Sequence, residues 1–444
     1  MLSTLDLSLI FIYFAILVWV GYSSSRKQED EDFLLAKRNL GMWRTMFTVN
    51  ATKMGTILMA FTAFTYIWGF SAVWYFIGVI LGMIIFLPFA LRLYKLSGGK
   101  YYTLADYFKY NYGKGPAKFA SSIGIILNFG FLIISLIAVA KIFIFFTGWP
   151  FWISAVLTSS IILIYITLAG FRAVVKTDII QYTAMMVIML LMVIILFDGN
   201  LLSSIELNIF SGGGASVFAF LLVGVLSAFA VPEIWQRVYS SKGLKEFKKG
   251  WLISVTIYIG MVFLLTITAL TVRAKFPLVD PDIALIYGFA NLLPPGLIGL
   301  SIILLFAAIM SSLDTYLFTT TSSVIQDFFS FSTKKKTVQA MKKTSIILTV
   351  IAVLIAIAIQ DIVISSYVFA SFMIVLSIPV LATWINKDVS KKTLTGGFVF
   401  GLLALITAWT YMAIIGRIEM VAVIAVLAAT ILGLFIGKIS KFFN

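Results

Sequence analysis

Thirteen stretches of this chain are long enough and apolar enough to cross a lipid bilayer as helices, and nothing else in it constrains the fold so strongly. A span needs about 20 apolar residues to cover ~30 Å of hydrocarbon at a rise of 1.5 Å per residue. Such runs occupy 6–24, 43–63, 67–92, 117–147, 150–169, 177–198, 214–236, 251–272, 296–325, 345–360, 362–385, 395–416 and 420–437. Only 11% of the residues are charged and 61% are hydrophobic, against about 25% and about 45–50% in a soluble domain. Inside hydrocarbon each backbone polar group must be satisfied within its own segment, so the expected class is an all-α integral membrane protein. The first run has no basic leader and no small-residue cleavage site, and it reads as a spanning helix rather than a removable signal.

The net charge of +15 is distributed as a topology signal. With the N-terminus outside, 28 of the 33 Lys and Arg residues fall in inner loops or at inner ends. Only Lys141, Arg273, Lys275 and Arg417 lie outside, and Lys53 lies within a span. The positive-inside rule therefore sets an outer N-terminus, a cytoplasmic C-terminus and an odd number of passes across the cell inner (cytoplasmic) membrane. The basic charge belongs to the lipid bilayer as partner; no nucleic acid is expected. Cys and His are both absent, which removes thiol chemistry, His-ligated haem and the usual zinc sites. The outer loops 199–213 and 273–295 are too short for a soluble catalytic domain. An enzyme is therefore not expected, nor any cofactor, and residues 1–444 read as one membrane transport domain, for which a monomer suffices.

Transporters are often built as two bundles of inverted topology with broken helices around a midplane site. After a single helix at 6–24, spans two to six cover 43–198 and spans seven to eleven cover 214–385, five in each block and of opposite starting side. Two further helices fill 395–444. The leading run of each block is interrupted, by NATKMGT (50–56) in the first and by GVLSAFAVPE (224–233) in the second. Gly costs about 1 kcal/mol and Pro about 3 kcal/mol in a helix interior. Irregular backbone at depth is tolerated where it lines a cavity or packs in protein. The alternative is a Pro kink with small residues for close packing.

Four segments point further: DFLLAKRNLG (32–41), GFRAVVKTDIIQ (170–181), QRVYSSKGLKEFKKG (236–250) and AAIMSSLDT (307–315). In this order and spacing the chain resembles the sodium:solute symporter family, from about residue 5 to at least 385. That family includes sodium-coupled proline, sugar, sialic acid and pantothenate carriers. The resemblance implies a LeuT-type fold of two inverted five-helix repeats, preceded by one helix and followed by two, working by alternating access with sodium as the coupling ion. It also implies a sodium site from the hydroxyls of Ser311 and Ser312, with Ala308 one turn earlier and the carbonyls of Ala51 and Met54 on the broken helix. Asp178 matches a family carboxylate near the inner end of the ion path. Helix packing is the other reading of the two serines, and a solvated helix start is the other reading of Asp178.

Lys53 departs from that pattern. It lies about ten residues into its span, hence about 15 Å deep, where an ammonium costs ~2.5–3.5 kcal/mol on insertion scales. Proline-carrying members hold an aspartate here that assists sodium. Two like charges about 5 Å apart repel by ~3 kcal/mol at an effective dielectric of 20. Three readings stand. The ammonium replaces the cation, paired with Asp314 or Asp178, and a proton becomes the coupling ion; or it snorkels to the cytoplasm and sodium still binds; or it meets a substrate carboxylate.

In the second block, Gly224, Ser227 and Ala228 stand where sugar carriers have an aromatic gate and an amide, which favours an amino acid or organic acid over a sugar. Arg237 retains the family's arginine and Glu233, one turn earlier, is expected to pair with it. The cavity candidates are Thr56, Trp68, Ser71, Trp74 and Tyr75, together with Asn128, Ser227, Tyr367 and Ser371. The expected function is secondary transport of a small polar solute. An uncoupled facilitator and a transporter-like sensor subunit are the alternatives.

Overall fold

The computed structural model describes residues 4–25, 29–196, 207–293, 297–386, 388–416 and 418–439. Parts of the sequence-based reading lie outside these residues: 197–198 and 296 at two span ends, 199–206 of one loop, and Arg26, Lys27, Lys387, Arg417 and Lys441 of the charge count.

Among the described residues the chain is helical, and eleven segments are long and apolar enough to cross a membrane. Two of these eleven turn back on themselves, which makes thirteen passes. In Ile57–Ser97, the helices α4 (Ile57–Trp68) and α5 (Val73–Ser97) meet at Gly69, whose φ is +64°. The rings of Phe61 and Phe76 then lie 4.3 Å apart, although 15 residues of straight helix would separate them by about 22 Å. In α8 (Phe151–Leu196) the reversal is at Gly170, φ +53°. Tyr165 and Thr177 consequently reach the same carboxylate oxygen of Asp314, at 3.0 and 3.1 Å. No other residue type suits this corner, because a Cβ on Gly170 would stand 2.7 Å from Phe33 in a left-handed conformation that side chains disfavour.

The remaining passes are α1 (Thr4–Ser25), α7 (Lys114–Thr147), α11 (Leu244–Lys275), α13 (Ile298–Phe328), α14 (Lys334–Ile359), α15 (Ile362–Ile385), α16 (Lys391–Ile415) and α17 (Val421–Ile439). Two of the thirteen passes are made of half-helices: α3 (Met42–Met54) continues into α4, and α9 (Gly213–Ala230) into α10 (Pro232–Tyr239). Short helices α2 (Asp30–Leu35), α6 (Leu104–Tyr112) and α12 (Ala284–Leu292) lie in the connections. Side-chain oxygens of Thr333, Asp361 and Ser390 cap α14, α15 and α16 by accepting free N–H groups.

Helix α13 is the centre of the bundle: 83% of its apolar window is buried, against 22% for α16 and 28% for α17 at the periphery. Its buried run is rich in Ser and Thr, residues that permit close helix approach and hydrogen bonds across helices. Within the interrupted segment 224–233 the break sits at Val231. Gly224 lies in continuous helix against α5, where a Cβ would be 2.2 Å from the carbonyl of Tyr75.

Candidate transport site

Helix α3 ends at Met54, and Gly55 (φ −58°, ψ −110°) leaves the helical conformation. The last four carbonyls of any helix lack intrahelical donors, and here they are those of residues 51–54. Two are met by α13. Ser311 Oγ is 3.1 Å from the Ala51 carbonyl and 2.7 Å from that of Ala308, and Ser312 Oγ donates to the Thr52 carbonyl at 3.1 Å. The second carbonyl hydrogen-bonded to the serine pair is thus that of Thr52 rather than Met54. A cradle of neutral oxygens results, with Ser311 and Ser312 wholly buried, and the negative end of α3 points into it. Gly55 lets the strands of this cradle close: a Cβ there would fall 1.6 Å from Ser312 Oγ and 2.9 Å from the Ala308 carbonyl. Hard oxygens without charge, on freed carbonyls and hydroxyls, suit a small monovalent cation.

Lys53 points elsewhere. Its Nζ donates to Ser227 Oγ at 3.3 Å, across a cavity of about 130 Å³ between the two broken helices. The expected pairing of Lys53 with Asp314 or Asp178 is not formed, because both carboxylates are held by other groups. Asp314 accepts from Tyr165 and Thr177. Asp178 accepts from Thr48 and lies 3.5 Å from Arg237 Nη2. Asp178 and Arg237 are both wholly buried, so neither the solvated helix start nor a surface pair with Glu233 describes them. Arg237 spends its guanidinium on Thr52 (2.8 Å), Thr315 (3.0 Å) and the backbone carbonyl of Glu233 (3.1 Å). It thereby pins both half-helices to α13.

The carboxylate of Glu233 is left on the cavity wall, 3% exposed, with one oxygen buried and unpartnered. Lys53 and Glu233 share the cavity yet form no ion pair with each other within 4 Å. Of the other candidates, Thr56, Tyr75, Ser227, Tyr367 and Ser371 also line it. Trp68, Ser71 and Trp74 do not. Gly212 N donates to Ser71 Oγ at 2.6 Å, Trp74 Nε1 donates to the Ile209 carbonyl at 2.9 Å, and Ser211 Oγ donates to the Trp68 carbonyl at 3.0 Å. These three hold the entry to α9. Asn128 is buried outside the cavity, beside the Glu233 carboxylate. Residues 224–228 carry no aromatic on the cavity wall, which is instead lined by Phe220 earlier on α9 and by Phe64, Phe131, Tyr258 and Tyr316 from other helices. Thr52 and Thr315, central to the Arg237 network, were not singled out by the sequence. Their signal was adjacency, to Lys53 and to Asp314.

The profile of the Sodium:solute symporter family matches residues 33–206 and 213–399. The chain belongs to that family. This symporter-family protein is accordingly a multi-pass membrane transporter and not an enzyme. It is 26% identical to the osmoregulated proline transporter OpuE of Bacillus subtilis (strain 168), over 78% of this chain and 76% of that one. It is also 26% identical to sodium/proline symporter 2 of Staphylococcus saprophyticus, over 90% of this chain and 84% of the relative. In structure it is similar to a Na+-coupled sialic acid symporter, with a TM-score of 0.81, 17% identity and 98% coverage of both chains. Mhp1, a nucleobase-cation-symport-1 family transporter, follows at a TM-score of 0.60 and 14% identity, over 91% of this chain and 93% of that one. The protein has the LeuT-type fold of these transporters.

Proposed function

We propose that this protein is a secondary active symporter for a small zwitterionic solute, an amino acid in the first instance, driven by sodium. The observation that carries the solute class is the cavity itself, where an ammonium (Lys53) and a carboxylate (Glu233) face one space without neutralising each other. A buried charge is stable only when paired and hydrogen-bonded. A ligand with a carboxylate for Lys53 and Ser227, and an ammonium for Glu233, satisfies both at once. The aromatic and aliphatic remainder of the wall accepts an apolar side chain. The proline carriers among the relatives move a solute of this kind.

Coupling follows from the chain break. The residues that touch solute (Lys53, Thr56) and those that offer carbonyls to the cation (Ala51, Thr52) are neighbours around the break that ends α3. Sodium between Ala51, Ala308, Ser311 and Ser312 orders that stretch, and so favours solute binding by the same free energy that solute returns to sodium. Blocks 43–198 and 214–385 serve as the two inverted repeats that rock about the site, and the face bearing the basic loops is cytoplasmic. Arg237 with Asp178 holds the cytoplasmic end of the path shut.

A second reading couples solute to a proton on Lys53, favoured by the absence, among the described residues, of any carboxylate within ion-pair distance of that amine. Uptake of labelled amino acids into proteoliposomes, under a sodium gradient and then under a proton gradient without sodium, decides between them. Accumulation that requires sodium supports the first; accumulation on the proton gradient alone overturns it. Equilibration without accumulation in either case identifies a facilitator.

A further inference from the structure

A second cavity, of about 310 Å³, opens on the basic face, away from the transport site. Four cations line it: Lys37 from the loop after α2, Arg44 from the first turn of α3, and Arg172 with Lys176 from α8 just beyond the Gly170 reversal. Only Asp32 opposes them there, and it is already engaged by Arg172 at 3.1 Å and Lys37 at 3.8 Å. Lys37 also meets Glu29 at 3.2 Å. Arg44 and Lys176 have no carboxylate within ion-pair distance among the described residues, although both line the same space as Lys37 and Arg172. Like charges gathered around a concave space are relieved by an anion.

Exposed neighbours of these cations in the chain show which kind. Trp43, next to Arg44, is 56% exposed, and Ile180, one turn beyond Lys176, is 36% exposed. Tryptophan is enriched at headgroup level, and an exposed isoleucine one helical turn from Lys176 presents an apolar side chain on the same helix. The cavity therefore stands at the boundary where a phosphate and its acyl chains are found together. We propose that this cavity is a binding site for the phosphate of an anionic phospholipid headgroup. Basic pockets between transmembrane helices on this side bind such headgroups in general. The bound phosphate bridges Arg44 on α3 to Arg172 and Lys176 on α8, and so braces the half-helix that carries the unwound segment.

The test uses the full-length protein in detergent, with thermal stability as readout. Short-chain phosphatidylglycerol, phosphatidylcholine of the same chain length, and inorganic phosphate are titrated separately. Phosphatidylglycerol is expected to raise Tm, and Lys176→Gln to need on the order of fivefold more of it, with Arg44→Gln/Lys176→Gln weaker again. Lys248→Gln/Lys249→Gln, which removes two exposed basic residues elsewhere on this face, should respond as wild type. Equal stabilisation by phosphatidylcholine, or equal loss in the Lys248/Lys249 variant, overturns the site. Inorganic phosphate matching phosphatidylglycerol overturns the lipid assignment. Should the double variant fail to fold, Lys176→Gln alone and a salt titration of the wild type decide, since a response to phosphatidylglycerol that salt leaves unchanged also overturns the proposal.

Discussion

Gly55→Ala is the most direct test of how the unwound segment couples cation to solute. The new Cβ would stand 1.6 Å from Ser312 Oγ, 2.6 Å from Ser312 Cβ and 2.9 Å from the Ala308 carbonyl. The hydroxyl can rotate away, but it then leaves the Thr52 carbonyl. The Ala308 carbonyl is backbone and must retreat by about half an ångström to reach ordinary contact. Overpacking of this kind costs about 1–3 kcal/mol. Withdrawal of one oxygen from a cation removes an interaction worth about 1.5–3 kcal/mol, which weakens sodium binding about 10- to 150-fold. The assay is Tm of the purified protein against sodium concentration, with potassium holding ionic strength constant. Gly55→Ala should show a lower Tm without sodium and a midpoint shifted upward by that factor. Gly55→Ala/Ser312→Gly relieves both contacts with the serine, so part of the lost Tm should return while the sodium response does not. A Gly55→Ala protein with the wild-type sodium midpoint would refute the placement of the cation between α3 and α13.

Three further outcomes are expected. Lys53→Met should weaken solute binding about 10- to 150-fold through loss of a charge-assisted bond, while its sodium midpoint stays put; a tighter midpoint would return the amine to the cation cradle. Arg237→Met leaves Asp178 buried and unpaired, at a cost of about 3–5 kcal/mol, and Arg237→Met/Asp178→Asn should recover most of the lost Tm; a double variant no more stable than the single one would deny the pair. At the basic face, burial by itself raises the Glu31 carboxyl, but hydrogen bonds from Lys334 and Tyr102 and the charge of Arg38 outweigh it and hold the group below its usual range. Its contribution is therefore present above the unfolded-state value and lost as pH falls through the lower folded value, so Glu31→Gln should flatten the acid limb of Tm against pH, and an unchanged limb would remove this latch.

Residue patterns alone were enough to identify a membrane protein, its number of passes, the two interrupted helices and the family. Each of these is written locally: the length of an apolar run against bilayer thickness, Gly and Pro inside such runs, and short motifs such as GFRAVVKTDIIQ. The serine pair came forward only through the family resemblance, since by pattern alone two adjacent serines read equally as helix packing; the structure sets their hydroxyls against carbonyls of α3.

What side chains do at a break was decided only in three dimensions. Helical periodicity fixes direction while a helix lasts, and at Gly55 it stops, so residue 53 could face either the serines or the cavity. The fold turns it to Ser227, 174 positions away. Arg237 met Asp178, 59 positions away, rather than Glu233 one turn back, because full burial demands a carboxylate that the rigid guanidinium can reach. Trp68, Ser71 and Trp74 have the composition of a binding wall, yet the connection into α9 claims their polar atoms first. Depth and chemistry are local properties of a sequence; which of two buried partners a charge takes depends on helices packed from distant parts of the chain.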